Sequence, residues 1–182
     1  NPPDRCYWCK RKIFQTFLDV CRARRIAHLL DGTNADDGHV YRPGRRALKE
    51  LGVLSPLASL GFTKQEIRKL SAERGLPTAS KPSMPCLATR FEYGAELTPE
   101  RIGQAGRGEV FLRSLLPETA DVRLRVQGKN ARIEVPPASF ELILKNRAAI
   151  AETLHGLGFE FVTLDLEGYR SGCYDKNLTT EV

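Results

Sequence analysis

The sequence has no apolar run long enough to cross a bilayer, and no leader pattern of charged then apolar residues opens it. A soluble, cytoplasmic protein with no membrane partner is therefore expected. Long Lys/Arg runs and low-complexity arms are also missing, so nucleic acid is not the expected partner. No internal repeat is apparent. An even cysteine set is lacking too: the chain has five, an odd number that argues against a disulfide framework in a cytosolic setting. Finally, the chain opens on Asn1-Pro2-Pro3 without a Met, and a helix is expected almost at once. That is the expectation for a piece cut from a longer protein.

What is present is ordinary globular material. The 182 residues are 41% hydrophobic and 27% charged, enough for one medium domain or two small ones. The formal net charge is +6, which favours anionic partners such as nucleotides, phosphates or RNA without choosing among them.

Along the chain, Asp4 is placed to cap a helix whose positions Ile13, Phe14, Phe17, Leu18 and Cys21 draw one buried stripe. Ile26–Leu30 reads as a buried strand delivering Asp31-Gly32-Thr33-Asn34-Ala35-Asp36-Asp37 to its end, where open α/β sheets hold ligand loops. Thr63 and Glu66 spell a capping box for a helix to Arg74, stopped by Gly75 and Pro77. The stretch 76–94 holds three prolines and little periodicity, and so long an irregular segment is more often functional than connecting. Thr98-Pro99 opens another helix. Residues 122–126 and 131–135 alternate strictly about a turn at 127–130, which predicts a hairpin. A helix through Phe140, Leu142, Ile143, Leu144 and Ile150 and a strand at 159–164 follow. This order predicts a small α+β domain over 95–182.

Three groups of residues carry possible chemistry. Cys6 and Cys9 are three apart at a helix start, so both thiols share a face where the positive helix end favours thiolate. Cys86 in the proline-rich segment adds a third thiol. Three cysteines without a fourth suit a 4Fe–4S cluster with one open iron; a structural zinc completed by His28 or His39 fits the same spacing. Cys21 lies on the apolar stripe and is expected in the core, and Cys173 follows Arg170-Ser171-Gly172 in a loop. In the hairpin, Arg125 should face Arg132 and Arg123 should face Glu134, all on one side, with Leu124, Val126, Ile133 and Val135 opposite. Guanidiniums so gathered suit a phosphate or carboxylate held bidentately; a solvated face with an Arg–Glu pair gives the same pattern. Arg90 and Arg170 are able to join such a site. The Asp31–Asp37 loop, with its carboxylates and Gly32, suits a nucleotide or magnesium ion, or simply a polar turn that ends a strand.

Taken in order, PPDRCYWCK, LDGTNADD, YRPGRRAL, LGFTKQEIR, KPSMPCLATRFEYG, VRLRV, ARIEVPP and TLDLEGYRSG resemble the LarE family of PP-loop sulfur transferases along nearly the whole chain. The resemblance implies an α/β fold. Residues 1–94 would be the C-terminal portion of a Rossmann-like PP-loop domain of the adenine nucleotide alpha hydrolase type. Residues 95–182 would be a small domain for substrate binding and oligomerisation, in a homo-oligomer. The implied activity is ATP- and Mg2+-dependent: a carboxylate of a pyridinium-3,5-dicarboxylate mononucleotide is adenylated, and sulfur from a sulfide source displaces AMP. The product serves the nickel-pincer nucleotide of lactate racemase. In one branch of the family a single cysteine gives up its sulfur, and a gapless match puts that donor at Pro85. In the other, three cysteines hold a 4Fe–4S cluster, and Cys6, Cys9 and Cys86 match those positions as metal ligands and catalytic residues. Resemblance also places Arg90, Arg123 and Arg125 around the substrate phosphate, and Asp31, Gly32, Asn34 and Asp37 near the nucleotide. The SGGxDS loop that binds ATP in the family is not among these 182 residues, so this stretch alone is expected to be inactive. Two other readings compete: a PP-loop tRNA thiolase, which should carry an RNA-binding module, and a non-catalytic zinc-stabilised nucleotide-binding module.

Overall fold

In the computed structural model, which describes residues 1–39, 41–81, 83–170 and 174, the chain divides into two units. One comprises residues 2–80; the other runs from Lys81 to Lys176 and includes Asn1. Cys173 lies outside the described residues.

The unit of residues 2–80 is helical. Helix α1 spans Arg5–Ala23, α2 Gly44–Glu50, α3 Pro56–Ser59 and α4 Lys64–Glu73, with a 3-10 turn at Ala35–His39. Tyr7 is the buried residue of α1. Its ring lies 4.0 Å beneath the Arg46 guanidinium and its hydroxyl donates to Glu50 at 2.7 Å. The start of α2 packs so closely on α1 that a Cβ at Gly44 would stand 2.8 Å from Lys10 Cδ. Helix α4 follows the sequence pattern: Thr63 Oγ1 accepts from the Glu66 amide, the Glu66 carboxylate accepts from Thr63 N at 2.8 Å, and Gly75 turns the chain away at φ 66°.

Three expectations for this unit need correction. Asp4 stands at the N-cap of α1 without capping it, because its carboxylate accepts from Trp8 Nε1 at 2.9 Å instead. The apolar stripe of α1 is not buried: Ile13 is 44% and Phe17 48% exposed, and Phe14, Leu18 and Cys21 are half-buried, so Cys21 is not a core residue. Helix α2 contacts Cys6, Tyr7, Lys10 and Arg11 at the start of α1. Residues 26–30 form a single parallel bridge, Leu30 to Leu54, rather than a buried strand, and Ile26 and Leu30 are half exposed. A strand buried on both faces needs paired neighbours and covering helices, and one bridge supplies neither.

The unit of residues 81–176 is α+β. A 3-10 turn at Leu87–Arg90 precedes helix α5, Pro99–Ser114, whose N-cap Thr98 accepts from Arg101 N at 3.2 Å. Strands β1, Arg123–Gln127, and β2, Asn130–Glu134, form the expected hairpin in the expected register: Arg123 opposite Glu134 and Arg125 opposite Arg132. Gly128, at φ 57°, takes the first central position of the turn. The single helix expected through Ile150 is broken into α6, Phe140–Lys145, and α7, Arg147–Gly156. The break falls at Asn146, whose side-chain amide donates to the Leu142 carbonyl at 2.8 Å, a local bond that competes with helix continuation. Strand β3, Phe161–Leu164, returns parallel to β2, so the sheet order is β1-β2-β3.

One sheet face carries Leu124, Val126, Ala131 and Ile133, packed with Ala105 and Leu112 of α5 and Ile150 and Leu154 of α7. Each such leucine or isoleucine contributes about 1.5–3 kcal/mol by leaving water. Gly108 is required where α5 crosses the sheet, since a Cβ there would lie 2.4 Å from Leu124 Cδ2 and 3.0 Å from Leu154 Cδ2. Among the described residues no helix is long and apolar enough to cross a membrane.

Candidate functional site

The second face of the hairpin is polar and nevertheless buried. Alternation puts Arg123, Arg125, Arg132 and Glu134 there, and the chain around Ser83–Arg90 and Asp165–Arg170 contacts it. The solvated Arg–Glu face that the pattern also allowed is therefore not what forms. Glu134, 0% exposed, binds Arg125 Nε at 2.9 Å and Arg132 at 3.1 Å. Asp165 stands 3.5 Å from both Arg132 and Arg170. Arg123 is buried; it donates to Val122 O at 2.7 Å, Ser83 O at 3.0 Å and Tyr169 Oη at 3.3 Å, with its carbon 4.8 Å from the Tyr169 ring. Arg125 donates from Nη1 to Thr89 O at 2.7 Å and from Nη2 to Arg170 O at 3.5 Å, under the Tyr174 ring.

Among the described residues, four guanidiniums, Arg123, Arg125, Arg132 and Arg170, meet buried Glu134 and half-buried Asp165. The other carboxylates in reach, Asp121 and Glu167, are 37% and 70% exposed and are screened by solvent. Burial alone would lower the Arg132 pKa, but Tyr174, Glu134 and Asp165 together hold it above the ordinary arginine value. Arg132 is thereby held in its charged form.

Arg90 is buried beside this face rather than on it. Its Nε and Nη2 bind both oxygens of Glu109 on α5, the latter at 2.8 Å. Glu109 escaped the sequence reading, although a signal was there: Ala105, Gly108, Glu109 and Leu112 have the spacing of a buried helical stripe, and a charge within such a stripe needs a partner. Tyr169 and Asp165, in the TLDLEGYRSG motif, were likewise not singled out. Cys86 is exposed at the head of the 3-10 turn and lines an open cavity of about 710 Å³, with Met84, Leu87, Arg107 and Val110 among its other walls.

Cys6 and Cys9 are exposed on the first turns of α1, in the unit of residues 2–80. Within either unit, no three His, Cys, Asp or Glu side chains of the described residues gather as a metal site. The three exposed thiols are the donor type that suits a soft metal centre. In the Asp31–Asp37 loop, Asp31 accepts from Ser55 Oγ at 2.6 Å and from Thr33 Oγ1, with Lys10 Nζ 3.8 Å away. Burial would raise its pKa, but those hydrogen bonds and the lysine outweigh it and hold the carboxyl below the ordinary aspartate value. Asp37 accepts from the Asn34 amide at 3.1 Å and pairs with Arg42 at 3.0 Å, and Asn34 Oδ1 accepts from Asp36 N. Gly32 is exposed, with open space where a Cβ would be.

Fold and site together define an α/β protein in which an exposed cysteine and an arginine-rich buried sheet face belong to one compact unit. No protein-family model matches the chain. An uncharacterised protein of Synechocystis is 42% identical over 181 residues, covering 98% of this chain and 67% of that protein. Pyridinium-3,5-bisthiocarboxylic acid mononucleotide synthase of Lactiplantibacillus plantarum is 37% identical over 179 residues, covering 98% of this chain and 64% of the enzyme. An uncharacterised protein of Methanocaldococcus jannaschii is 32% identical over 171 residues, covering 94% of this chain and 66% of its own length. The chain belongs to the family of the Synechocystis protein, and its similarity to the Lactiplantibacillus synthase supports a LarE-like relationship. It spans about two thirds of their length.

Proposed function

We propose that this protein is a sulfur transferase that converts a pyridinium-3,5-dicarboxylate mononucleotide into its thiocarboxylates, for nickel-pincer nucleotide synthesis. The observation that carries the reading is the excess, among the described residues, of guanidiniums over enclosed carboxylates on the hairpin face, in the unit that also presents Cys86. A phosphate monoester, close to a dianion at neutral pH, matches that excess. The similarity to the Lactiplantibacillus synthase supplies the substrate class.

Arg123 and Arg125 hold the substrate phosphate through their Nη2 groups. Their present partners there include a 3.3 Å contact to Tyr169 and a 3.5 Å contact to a carbonyl, which an anion would replace with shorter charge-assisted bonds. Glu134 fixes the Arg125 fork from behind, and the Val122 carbonyl holds Arg123 through Nη1. ATP with Mg2+ converts a substrate carboxylate to an acyl-adenylate, with pyrophosphate leaving. Sulfur then attacks the acyl carbon, AMP departs with the bonding pair, and a second round treats the other carboxylate. Asp31, Gly32, Asn34 and Asp37 lie near the nucleotide. Cys6, Cys9 and Cys86 would hold a 4Fe–4S cluster, whose supply is a sulfide ligand on the iron without a protein thiolate.

The test is steady-state kinetics of the full-length protein with ATP, Mg2+, mononucleotide and sulfide, without oxygen. Arg123→Ala should raise KM for the mononucleotide by about ten- to a hundredfold, the worth of a charge-assisted bond. An unchanged KM in a folded variant would put the phosphate elsewhere. Iron and acid-labile sulfide in anaerobically purified protein are expected; zinc alone would favour the non-catalytic module.

A further inference from the structure

Arg90 does not offer its fork to solvent, and where it points suggests a different task. Cys86 sits in a stretch with no strand or α-helix to hold it: residues 83–86 are irregular and the 3-10 turn that follows is four residues long. Two local bonds close that turn, from Thr89 N at 2.9 Å and Thr89 Oγ1 at 2.7 Å to the Cys86 carbonyl. Beyond it, Phe91 is fully buried and bridges to Val126. The link from this anchored end back to Cys86 is the Arg90 guanidinium. Its Nη1 donates to Thr89 Oγ1 at 2.8 Å and reaches the carbonyls of Pro85 at 3.3 Å and Cys86 at 3.5 Å. Its other edge is held bidentately by Glu109, and the same carboxylate accepts from Leu124 N of β1 at 3.0 Å. A single buried carboxylate thus ties α5, the sheet and the cysteine segment together. The packing agrees: a Cβ at Gly106 would lie 3.0 Å from Leu87 Cδ1, so the residue after Cys86 is seated on bare helix backbone.

We propose that Glu109 is a positioning residue that sets the place of Cys86, acting through Arg90. The inference rests on the reading that Cys86 takes part in sulfur transfer. Without the carboxylate, a buried guanidinium has no counter-charge and must turn toward another acceptor or water. Either movement releases the peptide at Pro85 and Cys86; Leu124 N loses its acceptor where the carboxylate is removed, while Phe91 and the β1–β2 pairing keep their own contacts.

The experiment compares full-length wild type with Glu109→Gln and, in case the lone neutralisation prevents folding, with the double variant Glu109→Leu/Arg90→Met. Hydrogen exchange is read separately for residues 85–91 and for strands β1 and β2 apart from Leu124, whose amide bonds Glu109, and, in protein stripped of metal, the alkylation rate of Cys86 by iodoacetamide is read against Cys9. In the variants, exchange over 85–91 should rise at least about tenfold while the strands stay within about twofold, the signature of local opening. Cys86 alkylation should rise with it and Cys9 should not change. For catalysis, kcat should fall by about tenfold or more with KM for the mononucleotide little moved. Equal loosening of segment and strands would reduce Glu109 to a fold-holding residue and overturn the proposal. So would unchanged exchange and alkylation at 85–91. If the segment loosens as expected and kcat holds, the positioning role stands and the part assigned to Cys86 in sulfur transfer falls.

Discussion

Residues 2–80 and 81–176 carry similar apolar patterns and use them differently. In the second unit fourteen buried apolar side chains form one core between α5, α7 and the sheet. In the first, among the described residues, Tyr7, Ala47, Leu48 and Val53 are the buried apolar residues, while Trp8, Ile13, Phe17, Val20, Ile26 and Leu30 are about half exposed. Periodicity decides which side of a helix is apolar, but burial needs something to cover that side. Helix α5 has a sheet beneath it; α1 has the seven-residue α2 over its first turns. The second unit also buries its charges, which it can do because each buried carboxylate there meets two guanidiniums or a guanidinium and an amide.

This contrast ranks the effects of mutation. The largest should come from Glu134→Ala, which leaves buried Arg125 and half-buried Arg132 without their shared carboxylate. A loss of about 3–5 kcal/mol in urea unfolding is expected. A cost under about 1 kcal/mol would mean that the polar face is wet. Acid should act on the first unit at Asp31. Its folded pKa is depressed, so its stabilisation is complete above the unfolded value near pH 4 and is lost as pH falls through the lowered folded value. Hydrogen exchange at Thr33 followed from pH 5 downward should show the loss, and Asp31→Asn should abolish the pH dependence. Phe17→Ser should do least, within about 0.5 kcal/mol, as for an ordinary surface change. A cost of several kcal/mol would show that α1 is covered in the working protein.

How much was legible in the sequence follows the same division. The hairpin register was readable because strict alternation over ten residues admits one pairing once the turn is placed. The Thr63 capping box and the Thr98-Pro99 helix start were readable because the deciding bonds are local. The parallel return of β3 carries no local signal. Burial of α1 was misread because spacing names a face without naming its partner. At the site, the arginines of the hairpin were found by their shared face, and their burial was not, since it depends on segments forty residues away. Glu109 was missed because a lone acidic residue on a helix reads as solvated until Arg90 is seen beside it.

The parallel pairing of β3 with β2 also orders events in time. A hairpin such as β1–β2 closes in about 1–10 μs, because its partners are neighbours in the chain. Strand β3 cannot dock until α6 and α7 have brought the chain back across the sheet, and long-range parallel pairing of this kind is slow. Until then the outer edge of β2 is open to any passing strand, and Arg132 has Glu134 but not Asp165. Completing the arginine face therefore depends on the chain past β3, which brings Asp165, Tyr169 and Arg170 against it. The core shares that dependence, since Val162 and Leu164 of β3 pack against it.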